Sequence, residues 1–178
     1  MNTQEKISDE IMNNFEFRTI KQEEAKEAAK TERICFPPHE ACTEERMTER
    51  IKAASDLFMV AIDRNTGKIA GFLNGIATDE YWFKDEFFTD IKNHDPDGNY
   101  IMIMGLDVVP EYRMKGLGRA LIYNYCEREK ARGRKKLVLT CLEDKVKMYS
   151  KFGFSKREKC ASKWGGEEWY EMDISLND

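Results

Sequence analysis

The sequence Arg113-Met114-Lys115-Gly116-Leu117-Gly118 follows a predicted strand and opens a predicted helix. Two glycines one residue apart allow the backbone to approach a ligand closely. The first N–H groups of a helix have no partner within it, and together with the helix dipole they form an anion site suited to a pyrophosphate. Lys115 and Arg119 add positive charge at this point. The alternative interpretation is a glycine-rich turn that only leads into the helix.

A second informative stretch lies downstream, at Lys147-Met148-Tyr149-Ser150-Lys151-Phe152-Gly153-Phe154. It ends a short predicted helix that follows a strand. By itself, this stretch predicts only that Tyr149 and Phe152 are core aromatics. It indicates a function only together with the glycine-rich stretch.

Outward from these two stretches, the hydrophobic pattern predicts a single domain over residues 15–178, behind an N-terminal tail of residues 1–14. The order β-α-α-β-β-β-α-β-α-β-β predicts an α/β fold with a mixed sheet. The predicted elements are a strand at 15–20, a helix at 22–34, a helix capped by Thr43, a hairpin of 57–63 and 68–77, a strand at 100–108, a helix at 116–132 ending at Gly133, a strand at 136–141, a short helix capped by Asp144, and strands at 155–163 and 167–175 around Gly165-Gly166.

The composition excludes several classes of protein. The chain has 178 residues and a net charge of −4, which argues against a basic protein that binds nucleic acid by neutralising phosphates. No apolar run approaches the roughly 20 residues that span a bilayer. The polar start MNTQEKISDE does not resemble a signal peptide. We therefore expect neither nucleic acid nor a membrane as a partner.

The cysteines favour a reducing compartment. Their number is odd, and no pair forms a C-x-x-C motif. We therefore expect no disulfide framework, no metal site and a cytoplasmic location. The cysteines are Cys35, Cys42, Cys126, Cys141 and Cys160.

The two motifs together resemble the GNAT superfamily of N-acetyltransferases, over about residues 15–176. In that superfamily R/Q-x-x-G-x-G/A binds the pyrophosphate of acetyl-CoA, and a tyrosine near a K/R-x-G-F segment often protonates the leaving thiolate. The resemblance implies a mixed, mostly antiparallel sheet of six to seven strands flanked by about four helices. It also implies acetyl-CoA as the co-substrate. Residues similar to the arylalkylamine (serotonin) N-acetyltransferase branch are Phe15-Glu16-Phe17-Arg18, Leu139-Thr140-Cys141, Tyr149 to Phe154, Cys160-Ala161, Gly165 and Glu171-Met172.

The resemblance also implies roles for individual residues. Tyr149 falls at the position of the catalytic tyrosine. The pantetheine arm is expected on the backbone of Leu106, Asp107 and Val108. The pyrophosphate is expected on the segment formed by Arg113, Met114, Lys115, Gly116, Leu117, Gly118 and Arg119.

The chain departs from this branch on the acceptor side. The animal enzymes carry two histidines on the central strand, where this sequence has Met102 and Met104. Methionine cannot accept the proton of the amine, so the proton route differs. Nearby polar residues in the family layout are His39, Glu40, Asp79 and Glu80, and none of them is assigned as the base. The loop at Pro37 and Pro38 is expected to face the acceptor, with a rigid interhelical turn as its alternative reading.

The connection 79–98 interleaves seven acidic residues with five aromatic ones. One interpretation is a wall that attracts a cation and stacks on it. The other, slightly favoured, is an amphipathic surface helix whose aromatics lie in the core. The aromatics are Tyr81, Trp82, Phe83, Phe87 and Phe88.

We therefore expect a cytoplasmic, acetyl-CoA-dependent N-acetyltransferase that acts on a small, arylalkylamine-like primary amine, as a monomer or a homodimer. A second possibility keeps the fold and changes the acceptor to a protein N-terminus, a polyamine or an aminoglycoside. A third is a non-catalytic acyl-CoA-binding module. The missing strand histidines favour this module, whereas Tyr149 counts against it.

Overall fold

The computed structural model describes residues 7–159 and 162–177. Residues 1–6 of the expected tail, Cys160 and Ala161 lie outside the described residues. Within the described part of the chain, no helix is long and apolar enough to cross a lipid bilayer.

Seven strands of the described chain form one sheet in the order β1-β2-β3-β4-β5-β7-β6. β4 and β5 pair in parallel, whereas the β1–β2, β2–β3, β5–β7 and β6–β7 pairs are antiparallel. The predicted mixed, mostly antiparallel sheet is thereby confirmed. The strands are β1 (Phe15–Thr19), β2 (Phe58–Asp63), β3 (Ile69–Thr78), β4 (Tyr100–Val108), β5 (Lys136–Cys141), β6 (Ser155–Lys159) and β7 (Tyr170–Ser175).

Six α-helices accompany these strands in the described residues, two more than expected. The additional helices, α1 and α4, are short. The helices are α1 (Asp9–Asn14), α2 (Ala25–Cys35), α3 (Glu44–Ala54), α4 (Glu86–Thr89), α5 (Leu117–Ala131) and α6 (Glu143–Lys151).

One compact unit contains residues 7–75 and 105–125; we call it the first unit. β1, β2 and most of β3 lie in it, together with α1, α2 and α3. The apolar faces of α2 and α3 are buried: Ala28 and Ala29 are buried on α2, and Met47 and Ile51, four residues apart, are buried on α3. They join a cluster that contains Phe58 and Phe72, whose ring centroids are 5.0 Å apart.

The other compact unit contains residues 76–104, 126–159 and 162–177; we call it the second unit. β5, β6 and β7 lie in it with the first part of β4. β5 pairs with β7 from Lys136–Ser175 to Cys141–Tyr170. Its apolar cluster holds Ile76, Phe83, Phe87, Met102, Met104 and Val138.

Helix ends follow the predicted signals at two positions. Thr43 caps α3, since its hydroxyl accepts a hydrogen bond from the N–H of Arg46 at 3.2 Å. Gly133 lies just beyond α5 with φ +83°, a conformation that glycine adopts without a Cβ penalty. The expected cap at Asp144 is wrong. The helix begins one residue earlier, at Glu143, with Leu142 in the cap position, so Asp144 lies in the first turn and complements the helix dipole from there.

Part of the expected N-terminal tail is helical. Ser8 caps α1 by accepting a hydrogen bond from the N–H of Ile11 at 3.4 Å. The carbonyl of Asn14 accepts from the N–H of Arg64 at 3.0 Å, and Ile7 is buried. These contacts fasten residues 7–14 to the first unit.

The aromatic connection 79–98 divides into a buried and an exposed part. Phe83 and Phe87 are buried, as the core interpretation predicts. Tyr81 and Trp82 are about half exposed, at 46% and 49%. The guanidinium of Arg157 lies 3.9 Å from the Tyr81 ring centroid and 4.5 Å from that of Trp82, so a side chain of the protein itself occupies this cation-binding surface.

Candidate active site

The glycine-rich stretch forms an exposed loop in front of α5. Residues 113–116 are exposed, and Met114 has φ +60° while Gly116 has φ +86°. These two departures into the left-handed region, one residue apart, turn the chain sharply, and glycine is the residue that adopts that region without strain. α5 starts at Leu117, and its first internal hydrogen bond joins the N–H of Ala120 to the carbonyl of Gly116 at 3.0 Å.

Gly118 brings the first turn of α5 close to β4. A Cβ at Gly118 would lie 3.6 Å from Val108 Cγ2 and 3.9 Å from Leu106 Cδ2. The helix start and the end of β4 therefore meet within the first unit. This contact unites the residues predicted to hold pyrophosphate with those predicted to hold pantetheine.

Two side chains anchor the start of the loop. Tyr112 donates a hydrogen bond from its hydroxyl to Asp63 Oδ2 at 2.6 Å, and this bond raises the pKa of Tyr112 and lowers that of Asp63. Arg113 donates from Nε to the carbonyl of Val108 at 2.8 Å, and the Cys35 thiol donates to the same carbonyl at 3.4 Å. Both lone pairs of that carbonyl are thus engaged, so a ligand contact at Val108 would have to use its N–H.

The side chain of Asp107 faces the protein interior. It is fully buried, and Glu32 of α2 and Arg50 of α3 are near enough to interact with it electrostatically. Burial raises the pKa of Asp107 well above its usual range, and the negative charge of Glu32 raises it further. Sequence reasoning placed only the backbone of Asp107 in the site and missed Glu32, Arg50 and the buried Asn74 of β3. One signal was present: Glu32 follows Ala28 by four residues, on the buried face of α2.

The loop between α2 and α3 carries Pro37 and Pro38, both exposed. The carbonyl of Pro37 accepts hydrogen bonds from the N–H groups of Glu40 and Ala41, both at 2.9 Å, so the loop is a tight turn. Glu32 holds its far end, because Glu32 Oε1 accepts from the N–H of Cys42 at 3.1 Å.

Tyr149 lies in the second unit, near the end of α6. Its ring is half-buried and makes edge contacts with Phe152 and Phe154, at centroid distances of 6.1 and 5.8 Å. The backbone N–H of Phe154 donates to the carbonyl of Tyr149 at 3.0 Å, which closes the turn at Gly153. The turn and the two phenylalanines fix where the tyrosine ring stands.

Met102 and Met104 also lie in the second unit, and both are buried. They pack with Phe83, Phe87 and Val138. The β4–β5 ladder runs from Tyr100–Lys136 to Met102–Val138, whereas β4 itself continues to Val108. The two methionines therefore lie where the ladder with β5 stops, within an apolar cluster.

The donor groups of the loop fit a phosphate ligand. The exposed turn at 114–116, the first-turn N–H groups of a helix of 15 residues and the cations of Arg113, Lys115 and Arg119 all favour negative charge. Because Gly118 has no side chain, the first turn of α5 lies close to β4.

Comparison with known proteins places the chain in a family. The model of the acetyltransferase (GNAT) family matches residues 23–154. This match covers more than half of the sequence, so the chain belongs to the acetyltransferase (GNAT) family.

Individual relatives are more distant. A glucosamine 6-phosphate N-acetyltransferase of Trypanosoma brucei brucei is 42% identical over 55 residues, which is 30% of this chain and 37% of that protein. The match thus spans little more than a third of that relative.

Two solved structures illustrate the shared fold. The loading GNATL domain of CurA from Lyngbya majuscula matches with a TM-score of 0.79 and 14% identity, over 91% of this chain and 98% of that one. The GNAT family N-acetyltransferase YhbS of Escherichia coli, solved in complex with CoA, has a TM-score of 0.60 and 20% identity, over 93% of this chain and 83% of that one.

Proposed function

We propose that the protein is an acetyl-CoA-dependent N-acetyltransferase that acts on small primary amines with an aromatic or alkyl body. The observation that carries this proposal is the exposed turn at residues 113–116, set at the start of α5 and packed through Gly118 on β4. Membership of the acetyltransferase (GNAT) family supports it.

In this proposal the phosphates bind at the first turn of α5. The backbone N–H groups of residues 116–118 and the cation of Lys115 hold the pyrophosphate, and the backbone of Leu106 to Val108 holds the pantetheine arm. Acetyl-CoA, when bound, supplies the thioester carbonyl that the amine attacks. Tyr149 donates the proton of its hydroxyl to the departing sulfur.

The proton of the amine needs a separate route. An alkylamine of pKa roughly 10.4 is mostly protonated near pH 7, and capturing its neutral form costs about 4.6 kcal/mol. Met102 and Met104 cannot accept this proton. They make their surroundings apolar, which disfavours a charged ammonium and favours acceptors with an apolar body.

A second acceptor class is favoured by one specific observation. The relative that is 42% identical over 55 residues is named a glucosamine 6-phosphate N-acetyltransferase. An amino sugar phosphate is therefore a candidate acceptor for this chain beside the arylalkylamines.

A panel of acceptors separates these proposals. Thiol release from acetyl-CoA would be measured with tryptamine, phenethylamine, glucosamine 6-phosphate, a polyamine, a free amino acid and an N-terminal peptide. We expect tryptamine or phenethylamine to give the highest kcat/KM. Preference for the amino sugar phosphate would move the assignment to the second class, and CoA binding without turnover of any acceptor would favour the acyl-CoA-binding module.

The cytoplasmic location, the state as a monomer or homodimer and the single domain over residues 15–178 stay predictions. Size-exclusion chromatography with light scattering measures the oligomeric state.

A further inference from the structure

Two carboxyl groups meet in the interior of the first unit. Asp107 on β4 is fully buried, and Glu32 on α2 is 4% exposed. Both approach the same point of the backbone, since a Cβ built on Gly105 would lie 3.1 Å from Asp107 Oδ1 and 3.6 Å from Glu32 Oε2. Among the described residues, both oxygens of Asp107 and Oε2 of Glu32 have no hydrogen-bond donor.

The side chains around Asp107 and Glu32 include one cation, which balances only one of the two carboxylate charges. The side chains that face Asp107 are Glu32 and Cys35 from α2, Arg50 from α3 and Asn74 from β3. Of these, Arg50 is the cation, and its Nη1 lies 3.5 Å from Asn74 Oδ1. Burying a carboxylate without a compensating charge or hydrogen bond is strongly unfavourable. A single proton bound to the pair removes the excess charge and supplies the missing donor.

The pair also reaches the acceptor-side loop. The other oxygen of Glu32, Oε1, accepts a hydrogen bond from the N–H of Cys42 at 3.1 Å. A chain of contacts therefore runs from β4 through Asp107 and Glu32 to the end of the loop that carries Pro37 and Pro38. A proton held between the two carboxyl groups links Asp107 on β4 to Glu32, which in turn binds the loop.

We propose that Glu32 and Asp107 share one proton and act as a positioning unit that fastens the loop 36–43 to β4. The role of this loop in acceptor binding rests on the proposed function. The shared proton and the fastening do not, and they are tested without any acetyl transfer.

The shared proton makes the stability of the folded protein depend on pH. The unfolded chain loses the proton of Asp107 at pH values above about 3.9, whereas burial raises the pKa of Asp107 in the folded protein. Between these two values the folded state holds one more proton than the unfolded state. Stability therefore falls as the pH rises through this window, and the unfolding equilibrium constant increases by about tenfold per pH unit from this group.

The variants Asp107→Asn and Glu32→Gln test the shared proton while keeping the shape of the side chains. Asp107→Asn removes the titrating group and supplies a permanent hydrogen-bond donor, so we expect it to lose the tenfold-per-unit component in denaturant titrations carried upward from about pH 5. Glu32→Gln removes the negative charge that adds to the effect of burial, so we expect this component to end at a lower pH than in the wild type. Asp144→Asn is the matched control, because the Asp144 side chain is 69% exposed, and it should keep the wild-type slope. An Asp107→Asn protein that retains the wild-type slope, or a Glu32→Gln protein in which this component ends at the wild-type pH, would overturn the shared proton.

An infrared measurement on the unmodified protein covers the case in which a variant fails to fold. We expect the C=O stretching band of a protonated, buried carboxyl group at about pH 5.5, above the ordinary carboxyl pKa values of about 4. The absence of this band would also overturn the shared proton.

Hydrogen exchange at the amide of Cys42 tests the fastening of the loop. Asp107→Ala removes the partner of Glu32, so we expect this amide to exchange at least about tenfold faster. Asp107→Asn should restore the protection, because the amide again donates to Glu32. Unchanged protection of Cys42 in a folded Asp107→Ala protein would overturn the fastening, whatever the acceptor panel shows.

Discussion

Replacing Tyr149 with phenylalanine removes one hydroxyl and keeps the ring. The edge contacts with Phe152 and Phe154, at 6.1 and 5.8 Å, involve the ring and survive the change. The loss of stability should therefore not exceed that of one hydrogen bond, about 1 kcal/mol. If the hydroxyl protonates the departing thiolate, kcat falls by roughly 10²–10⁴-fold. This corresponds to about 2.7–5.4 kcal/mol of transition-state stabilisation.

The assay is thiol release from acetyl-CoA at saturating acceptor, with CoA affinity measured separately. The affinity should be close to that of the wild type, because the residues assigned to the phosphates lie at 113–119, in the loop before α5 and the first residues of that helix. Tyr123→Phe on α5 is the matched control, since it removes a hydroxyl from another half-buried tyrosine. A near-normal kcat in folded Tyr149→Phe would refute the acid role and leave Tyr149 as a packing residue.

Four further outcomes are expected. Met102→Ala should lower the free energy of unfolding by about 2–5 kcal/mol because the side chain is fully buried; a cost near zero in denaturant titrations would contradict its place in the core. Tyr112→Phe removes the hydrogen bond that lowers the pKa of Asp63. The difference in free energy of unfolding between this variant and the wild type should therefore shrink as the pH falls through that pKa, and a difference that does not change with pH would contradict the hydrogen bond. Burial raises the pKa of Cys126 to about 12, so mass spectrometry should find it unalkylated by iodoacetamide in the folded protein and alkylated after unfolding. With tryptamine, kcat/KM should keep rising above about pH 7 with the neutral amine fraction; a plateau there would indicate an unrecognised base, with His39 the first residue to replace.

Local signals predicted the parts of the chain where one residue type has one physical reason. The central strand was predicted at 100–108 and is observed as Tyr100–Val108, because its apolar run has turn signals on both sides. Thr43 and Gly133 mark helix ends through side-chain and backbone geometry that depends on few neighbours.

Elements that depend on tertiary contacts were not predicted in the same way. α1 gains its stability from contacts such as the Asn14–Arg64 backbone bond, which joins positions far apart in the sequence. β7 begins at Tyr170 and not at residue 167, because its extent follows the pairing with β5, which begins at Cys141–Tyr170. Neither partner can be read from the local pattern.

The same division holds for the candidate site. The glycine-rich turn before α5 could be predicted from the spacing of its glycines, because such a turn depends on local backbone geometry. That it binds an anion stays a prediction. The buried pair of Glu32 and Asp107 was missed, because the two residues lie 75 positions apart in the sequence. Only the register of α2 against β4 brings their carboxyl groups together.

Calorimetry of CoA binding to Gly118 variants tests whether the turn before α5 is the cofactor site. A Cβ at Gly118 would make ordinary contacts at 3.6 and 3.9 Å, so Gly118→Ala should fold and bind CoA. Gly118→Val adds two methyl groups between α5 and β4, widens the turn and should abolish CoA binding in a protein whose circular dichroism is unchanged. Undiminished CoA affinity in folded Gly118→Val would contradict the assignment of this turn to the phosphates.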